Sequence, residues 1–233
     1  MPILEARAVS KHYAGSAGVA VRALDGVSLT IERGTWTAIT GPSGSGKTTL
    51  LALLGALERP TAGQVFFDGR DVGRYSNAEL TRARRRMGFV FQDFSLIANL
   101  TTVENITYPL IPRGIPRGER LRRAQELLVM FGLAERGNML ARALSGGEQQ
   151  RVAVARALAG QPEVVLADEP TSNLDPECAA TLLALLRELH GRGTTVMMAT
   201  HDPGVISMAT QTYALVRGRR APSTPDANSS PGE

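Results

Sequence analysis

Eight consecutive residues, Gly41-Pro42-Ser43-Gly44-Ser45-Gly46-Lys47-Thr48, fit the phosphate-binding pattern G-x-x-x-x-G-K-[ST] at every constrained position. Polyphosphate is held by many inward-pointing backbone N–H groups, which side chains would obstruct. Gly41, Gly44 and Gly46 remove the obstruction and permit backbone angles closed to other residues, so the loop can wrap oxygen atoms and lead them to a helix start. Lys47 reaches the outer phosphates and the Thr48 hydroxyl suits magnesium. A flexible Gly/Ser turn followed by Lys-Thr is the plain alternative. The flanks tell against it: Trp36-Thr37-Ala38-Ile39-Thr40 reads as a strand, and Leu50-Leu51-Ala52-Leu53-Leu54-Gly55-Ala56-Leu57 as a buried helix, apolar nearly all round.

A chain of 233 residues with 43% hydrophobic content has enough apolar surface for a proper core. One cysteine, Cys178, forms no internal disulfide, and the first residues lack a basic segment leading into an apolar core; the expectation is a reducing, cytoplasmic setting. No apolar run approaches the ~20 residues that cross a bilayer, so membrane association is expected through a partner. The formal charge of +4 rests almost wholly on arginine, since Lys11 and Lys47 are the only lysines. Its densest cluster, Arg82-Ala83-Arg84-Arg85-Arg86, has no interleaved aromatic residues to stack bases, which argues against nucleic acid as a partner. A solvated helix face is the ordinary account of such a run; a position near a partner or a membrane surface is the expectation carried forward.

In chain order, residues 3–9 give an edge-type strand pattern, and Val27-Ser28-Leu29-Thr30-Ile31 alternates at period two, which suggests an antiparallel sheet. A small-residue loop, 14–18, follows Tyr13. Gln64-Val65-Phe66-Phe67 is a strand entering an Asp68-Gly69 turn. A basic helix is expected over 77–87, then the strand Gly88-Phe89-Val90-Phe91, ending in Gln92, an amide that an ordinary strand end would equally supply. An amphipathic helix is expected over 119–131, and helices dominate to residue 160, as in a subdomain rather than more sheet. The tail, 221–233, is rich in Pro, Ser and Asn and reads as disordered.

Ser145 and Glu148 stand at capping-box spacing before the apolar run 152–158, so Leu144-Ser145-Gly146-Gly147-Glu148-Gln149-Gln150-Arg151 marks a helix start. Two glycines in its first turn cost roughly 1 kcal/mol each relative to alanine. Close approach of a phosphate to bare N–H groups would account for them; incidental glycines in a capped helix would too. Glu163-Val164-Val165-Leu166-Ala167-Asp168-Glu169 reads as a parallel-sheet strand ending in two carboxylates, at the edge where the phosphate loop also emerges. Asp168 is suited to holding magnesium through its water shell and Glu169 to orienting or deprotonating a water, though adjacent acids also form turns. Thr194-Thr195-Val196-Met197-Met198-Ala199-Thr200 ends at His201; a lone histidine is usually structural, but this one ends a core strand on the edge of the two acids, where an imidazole could meet a terminal phosphate. Residues 212–216 make the last strand.

Taken together these stretches resemble the ATP-binding subunit of an ABC transporter, from Tyr13 to His201. Residues 41–48 resemble its phosphate loop, Gln92 its Q-loop, Leu144 to Gln150 its signature, Val164 to Asp168 its second Walker motif with Glu169 as catalytic acid, Ser172-Asn173-Leu174-Asp175 its D-loop, and His201 its switch histidine. Tyr13 matches the aromatic that stacks on adenine. Finer matches (Gly88-Phe89-Val90-Phe91-Gln92-Asp93-Phe94, Leu100-Thr101-Thr102-Val103-Glu104-Asn105-Ile106, Leu166-Ala167-Asp168-Glu169-Pro170) look like the branch serving lipoprotein release, macrolide export and cell division. Ala141, where relatives often carry proline, and Pro42 in the loop depart from the pattern without removing a chemical group.

The resemblance implies an α/β fold of P-loop NTPase type, with a RecA-like core of mainly parallel sheet, an N-terminal antiparallel β subdomain and an inserted helical subdomain at about 93–160, all in one domain over 1–220. It implies ATP contacts from Tyr13, Gly41, Pro42, Ser43, Gly44, Ser45, Gly46, Lys47, Thr48, Thr49, Gln92, Ser145, Gly146, Gly147 and Asp168. Mg²⁺ falls to Thr48, Gln92 and Asp168, and catalysis to Glu169, His201 and Lys47. It further implies a head-to-tail pair of ATP-binding subunits on the cytoplasmic face of the membrane, attached to a permease with a large extracytoplasmic domain. A permease-like partner that signals rather than transports would use the same site. A soluble ATPase of DNA repair or translation would be expected to carry a long coiled-coil insert or a second cassette, and neither is read in these 233 residues, so that reading is not expected.

Overall fold

The computed structural model describes residues 1–15, 20–172 and 174–221. In chain order the elements are β1 (Pro2–Ala14), β2 (Ala20–Glu32), β3 (Trp36–Thr40), α1 (Lys47–Leu54), β4 (Ala62–Phe67), β5 (Arg70–Asp71), α2 (Asn77–Arg84), β6 (Met87–Val90), α3 (Thr102–Thr107), α4 (Arg117–Met130), α5 (Gly146–Leu158), β7 (Val164–Asp168), α6 (Pro176–Gly191), β8 (Thr195–Ala199), α7 (Pro203–Met208), β9 (Gln211–Val216) and β10 (Arg219–Arg220). They form a four-stranded antiparallel sheet, β2-β1-β4-β5, and a six-stranded sheet, β10-β9-β3-β8-β7-β6. From β9 to β6 the second sheet is parallel; only the β9–β10 hairpin runs the other way.

Each strand at the middle of the larger sheet is apolar on both faces because both are covered. Val164 and Leu166 join one core with α1 and the antiparallel sheet, while Val165 and Ala167 join a second with the helices. β8 divides the same way, Met197 and Ala199 to the first and Val196 and Met198 to the second. The helical stretch therefore adds no strand to either sheet, yet Ile106, Leu128 and Phe131 share their core with Val165 and Val196. Capping boxes start α2 (Ser76 with Glu79), α3 (Thr101 with Glu104) and α5 (Ser145 with Glu148).

Three expectations change. β1, whose pattern reads as an edge, is an inner strand: its two edges pair with β2 and β4, while Ile3, Leu4, Ala6 and Val9 are buried on its faces. α1 stops at Leu54, three residues early: a Cβ at Gly55 would stand 2.3 Å from the Phe89 ring, and Ala56 turns out with a left-handed φ of 55°. α2 ends at Arg84, whose guanidinium donates twice to Ala56 O, at 2.8 and 2.6 Å, closing the helix against that turn. The basic cluster is largely an internal anchor: Arg85 bonds Pro112 O, and Arg86 pairs with Glu163 and Asp68. The Asp68-Gly69 turn forms as read, with φ of 53° and 75° at its two residues, which a two-residue type I′ hairpin requires.

Candidate active site

Parallel pairing carries the chemistry to one edge. β8 lies between β3 and β7, with Ile39 opposite Ala199 and Ala199 opposite Asp168, and β6 lies beyond, with Val90 opposite Ala167. The carboxyl ends of four strands thus line up, and the phosphate loop, His201, Asp168-Glu169 and Gln92 leave from them in that order. The cavity they enclose, about 620 Å³, is lined by residues 41–49, Gln92, Asp168, Glu169, Ser172 and His201.

The loop's glycines are demanded by the chain itself. A Cβ at Gly41 (φ 143°) would lie 2.1 Å from Leu215 O, and one at Gly46 (φ 102°) 2.5 Å from Ala23 O. Gly46 caps α1 without any side-chain acceptor, leaving the first N–H groups of the helix to an anion. Ser45 Oγ is buried with no hydrogen-bond partner among the described residues, and its carbonyl is held by Gly218 N at 3.0 Å. Lys47 is 9% exposed; its ammonium donates to Gly41 O at 2.8 Å and Pro42 O at 3.2 Å and lies 3.9 Å from Glu169 Oε1.

Asp168 closes β7, buried. Burial pushes its carboxyl above the usual aspartate range and the neighbouring Glu169 charge adds to the push, while a hydrogen bond with Thr48 and the Lys47 charge oppose it. Glu169 turns the chain with φ 45°, a left-handed conformation uncommon outside glycine. That turn is fastened at each group: Glu169 N donates to Ala199 O, and Ser172 N and Oγ both donate to Glu169 O. His201 Nδ1 lies 3.1 Å from Glu169 Oε1, and the imidazole is 75% exposed. Lys47, Glu169 and His201 thus form a row from the loop to the rim.

The donor set fits a hard, oxygen-seeking cation. Thr48, Gln92 and Asp168 line a contiguous hollow and offer a hydroxyl, an amide oxygen and a carboxylate. Among the described residues no group of three His, Cys, Asp or Glu side chains could cage a metal without help. One carboxylate completed by phosphate oxygens and water is the way magnesium is usually held.

Ser145, Gly146 and Gly147 stand apart and line none of this cavity. Ser145 is engaged in its own cap, where Glu148 N donates to its Oγ at 3.2 Å and Glu148 Oε2 accepts from Ser145 N at 2.8 Å. A Cβ at Gly146 would meet nothing within 4 Å, and one at Gly147 only ordinary contacts at 3.7 Å. Tyr13, at the end of β1, is also outside the lining; its hydroxyl donates to Glu58 at 2.9 Å, and it lies within hydrogen-bonding reach of Thr49. The expectations for loop 14–18, for Asn173 and for the tail beyond Ala221 fall at least in part outside the described residues. Reasoning from sequence missed Val21, Arg22 and Ala23 of β2, which wall the loop. It also missed Gln150, 2% exposed, whose Nε2 donates to Pro170 O at 2.8 Å and so ties α5 to the turn after Glu169. Glutamine on a helix face gives no local sign of that contact.

Residues 24–172 match the family model for the ABC transporter. The chain belongs to that family. As a member it is an ATP-binding, ATP-hydrolysing cassette. An uncharacterized ABC transporter ATP-binding protein of Thermotoga maritima is 46% identical over 202 residues, 86% of each chain. A macrolide export ATP-binding/permease protein of Hyphomonas neptunium is 46% identical over 94% of the cassette, which spans 34% of that protein. Methionine import ATP-binding protein of Mesorhizobium japonicum is 44% identical over 85% of the cassette and 54% of its own length. In three dimensions the cassette resembles the dimeric, post-hydrolysis ATP-binding cassette MJ0796 bound to ADP and Pi, with a TM-score of 0.89 at 40% identity, over 94% of this chain and 97% of the other. Among the described residues no helix is long and apolar enough to cross a membrane.

Proposed function

We propose that the cassette powers a separate membrane permease, working as one of two copies that face head to tail across shared ATP sites. ATP held by the 41–48 loop, Thr49 and the Tyr13 ring in one copy is closed over by Ser145, Gly146 and Gly147 of the other. The observation that carries this reading is steric: Gly41 and Gly46 are required by their own chain, whereas nothing among the described residues requires glycine at 146 and 147. Glycines that cost helix stability and relieve no internal clash are accounted for by a ligand reaching them from outside.

Within the site, Glu169 holds and deprotonates the attacking water, with its carboxylate kept in place by the fastened turn and by His201. His201, exposed at the rim, braces the terminal phosphate, and Lys47 leaves the Gly41 and Pro42 carbonyls to meet it. Thr48, Gln92 and Asp168 would hold Mg²⁺, which would supply neutralisation of phosphate charge. The raised Asp168 carboxyl fits this role, because a cation offsets the cost of its buried charge. Gln92 reports site occupancy to the permease through the helical segment.

The permease assignment is supported by relatives whose names join ATP-binding and permease parts in one chain, about two thirds of which lies beyond the match. The branch motifs favour a permease with a large extracytoplasmic domain, with the cassette peripheral on the cytoplasmic face. Export and import relatives stand at almost equal identity, 46% and 44%, so likeness tracks the ATPase rather than the cargo. Glu169→Gln is expected to slow ATP turnover by about 10²–10⁴-fold with ATP affinity retained; undiminished turnover would overturn the assigned chemistry. Purification from solubilised membranes, followed by sequencing of the associated chain, tests the permease.

A further inference from the structure

Arg156 is a charged, largely enclosed side chain that the ATP chemistry does not use. It stands near the end of α5, and burial pushes its guanidinium below the usual arginine range, with Asp93 opposing. Its fork reaches out of the helix to two successive carbonyls, Nη1 donating to Ser95 O at 2.6 Å and Nη2 to Phe94 O at 2.9 Å. Among the described residues Phe94 and Ser95 are the one adjacent pair of non-glycine residues with left-handed backbones, φ 62° and 45°. Such a conformation persists where surrounding contacts over-determine it.

The contacts that do so are in view. Phe94 N donates to Phe91 O at 3.1 Å, Ser95 N to Asp93 O at 2.7 Å, and Ser95 Oγ to Asp93 Oδ1 at 2.6 Å. These bonds coil 91–95 into a tight loop around Gln92, and Arg156 fastens the loop's far side to α5. The same helix begins at Ser145 and, through Gln150, holds the turn after Glu169. We propose that Arg156 is a positioning residue that locks the Gln92 loop onto α5, so that Gln92 and the Ser145 helix start move as one body. Its link to turnover rests on the reading of Gln92 as a magnesium ligand given above.

A planar two-pronged donor is what two neighbouring carbonyls require, and lysine offers one ammonium in its place. Two measurements on the full chain test the lock. Amide hydrogen exchange without nucleotide reads the loop directly: in Arg156→Met, peptides covering 91–97 are expected to exchange at least tenfold faster while those of β7 and β8 keep their rates. Unchanged exchange at 91–97 would overturn the lock. Turnover against free Mg²⁺ reads the coupling: Arg156→Met is expected to raise the half-maximal concentration at least fivefold, Arg156→Lys less, and Arg156→Met to add nothing in a Gln92→Ala background. A shift of the same size in that background would overturn action through Gln92. Faster exchange in Arg156→Met, with Gln92→Ala itself leaving the Mg²⁺ requirement at the wild-type value, would remove the metal role of Gln92 and leave the lock standing.

Discussion

Two helices of this chain start at glycines, and they do so under opposite constraints. α1 starts from Gly46 in a left-handed conformation with no side-chain cap, in a loop where Gly41 sits hard against Leu215 O and Gly46 against Ala23 O. α5 starts from Ser145 in extended backbone, fully capped by Glu148, which Arg136 holds in turn at 2.8 Å; the Arg136 contact and the Ser145 N–H keep the Glu148 carboxyl below the usual range. Its glycines face open space or ordinary contacts. The first start is built for an anion by its own fold. The second is complete as a helix end, and on the proposed reading its bare backbone serves a docking copy.

The largest effect that would test this contrast comes from Gly41→Ala. Its Cβ would enter the van der Waals radius of Leu215 O, so the variant should lose at least about 2 kcal/mol of stability and its ATP binding; thermal unfolding and nucleotide titration check both. Gly147→Ala should behave in the reverse sense. Stability is expected to hold or rise by about 0.5–1 kcal/mol, single-chain ATP affinity to stay, and turnover to fall by roughly tenfold or more, as for other interactions made only on the way to the transition state. If Gly147→Ala destabilised the chain as Gly41→Ala does, the contrast would be lost.

A subtler test uses Asp168. Its carboxyl is raised by burial, so the folded chain holds a proton that the unfolded chain releases. The cost of its buried charge is absent below the ordinary aspartate value, grows as pH rises from about 4 to the raised folded value, and is constant above it. Asp168→Asn removes that cost. In thermal melts without nucleotide or metal, its stability relative to the wild type should therefore improve across that window, while its Mg²⁺-dependent turnover is lost. A stability difference independent of pH would show that the Asp168 charge costs the fold nothing.

Much of the local structure was legible because it lies in contiguous stretches. The loop at 41–48, the Ser145–Glu148 box and the apolar run into Asp168-Glu169 each depend on neighbours within about one turn, and the chain folded each as its residues suggest. Boundaries were less legible where distant groups set them: Phe89 stops α1, and the Ala56 carbonyl draws the Arg84 guanidinium across the end of α2. The inner place of β1 was hidden because alternation reports how many faces are buried, not how many edges are paired.

By itself the sequence determined a phosphate cradle, a capped glycine helix start and a row of polar strand ends, since loop sterics and side-chain periodicity act over a few bonds. Tertiary structure alone decided that β8 lies between β3 and β7, bringing His201 to 3.1 Å from Glu169 across 32 residues of chain, and that α5 holds both the turn after Glu169 and the loop around Gln92. Those choices come from strand order and helix packing, where buried apolar faces must all be covered at once, and no local pattern encodes that sum.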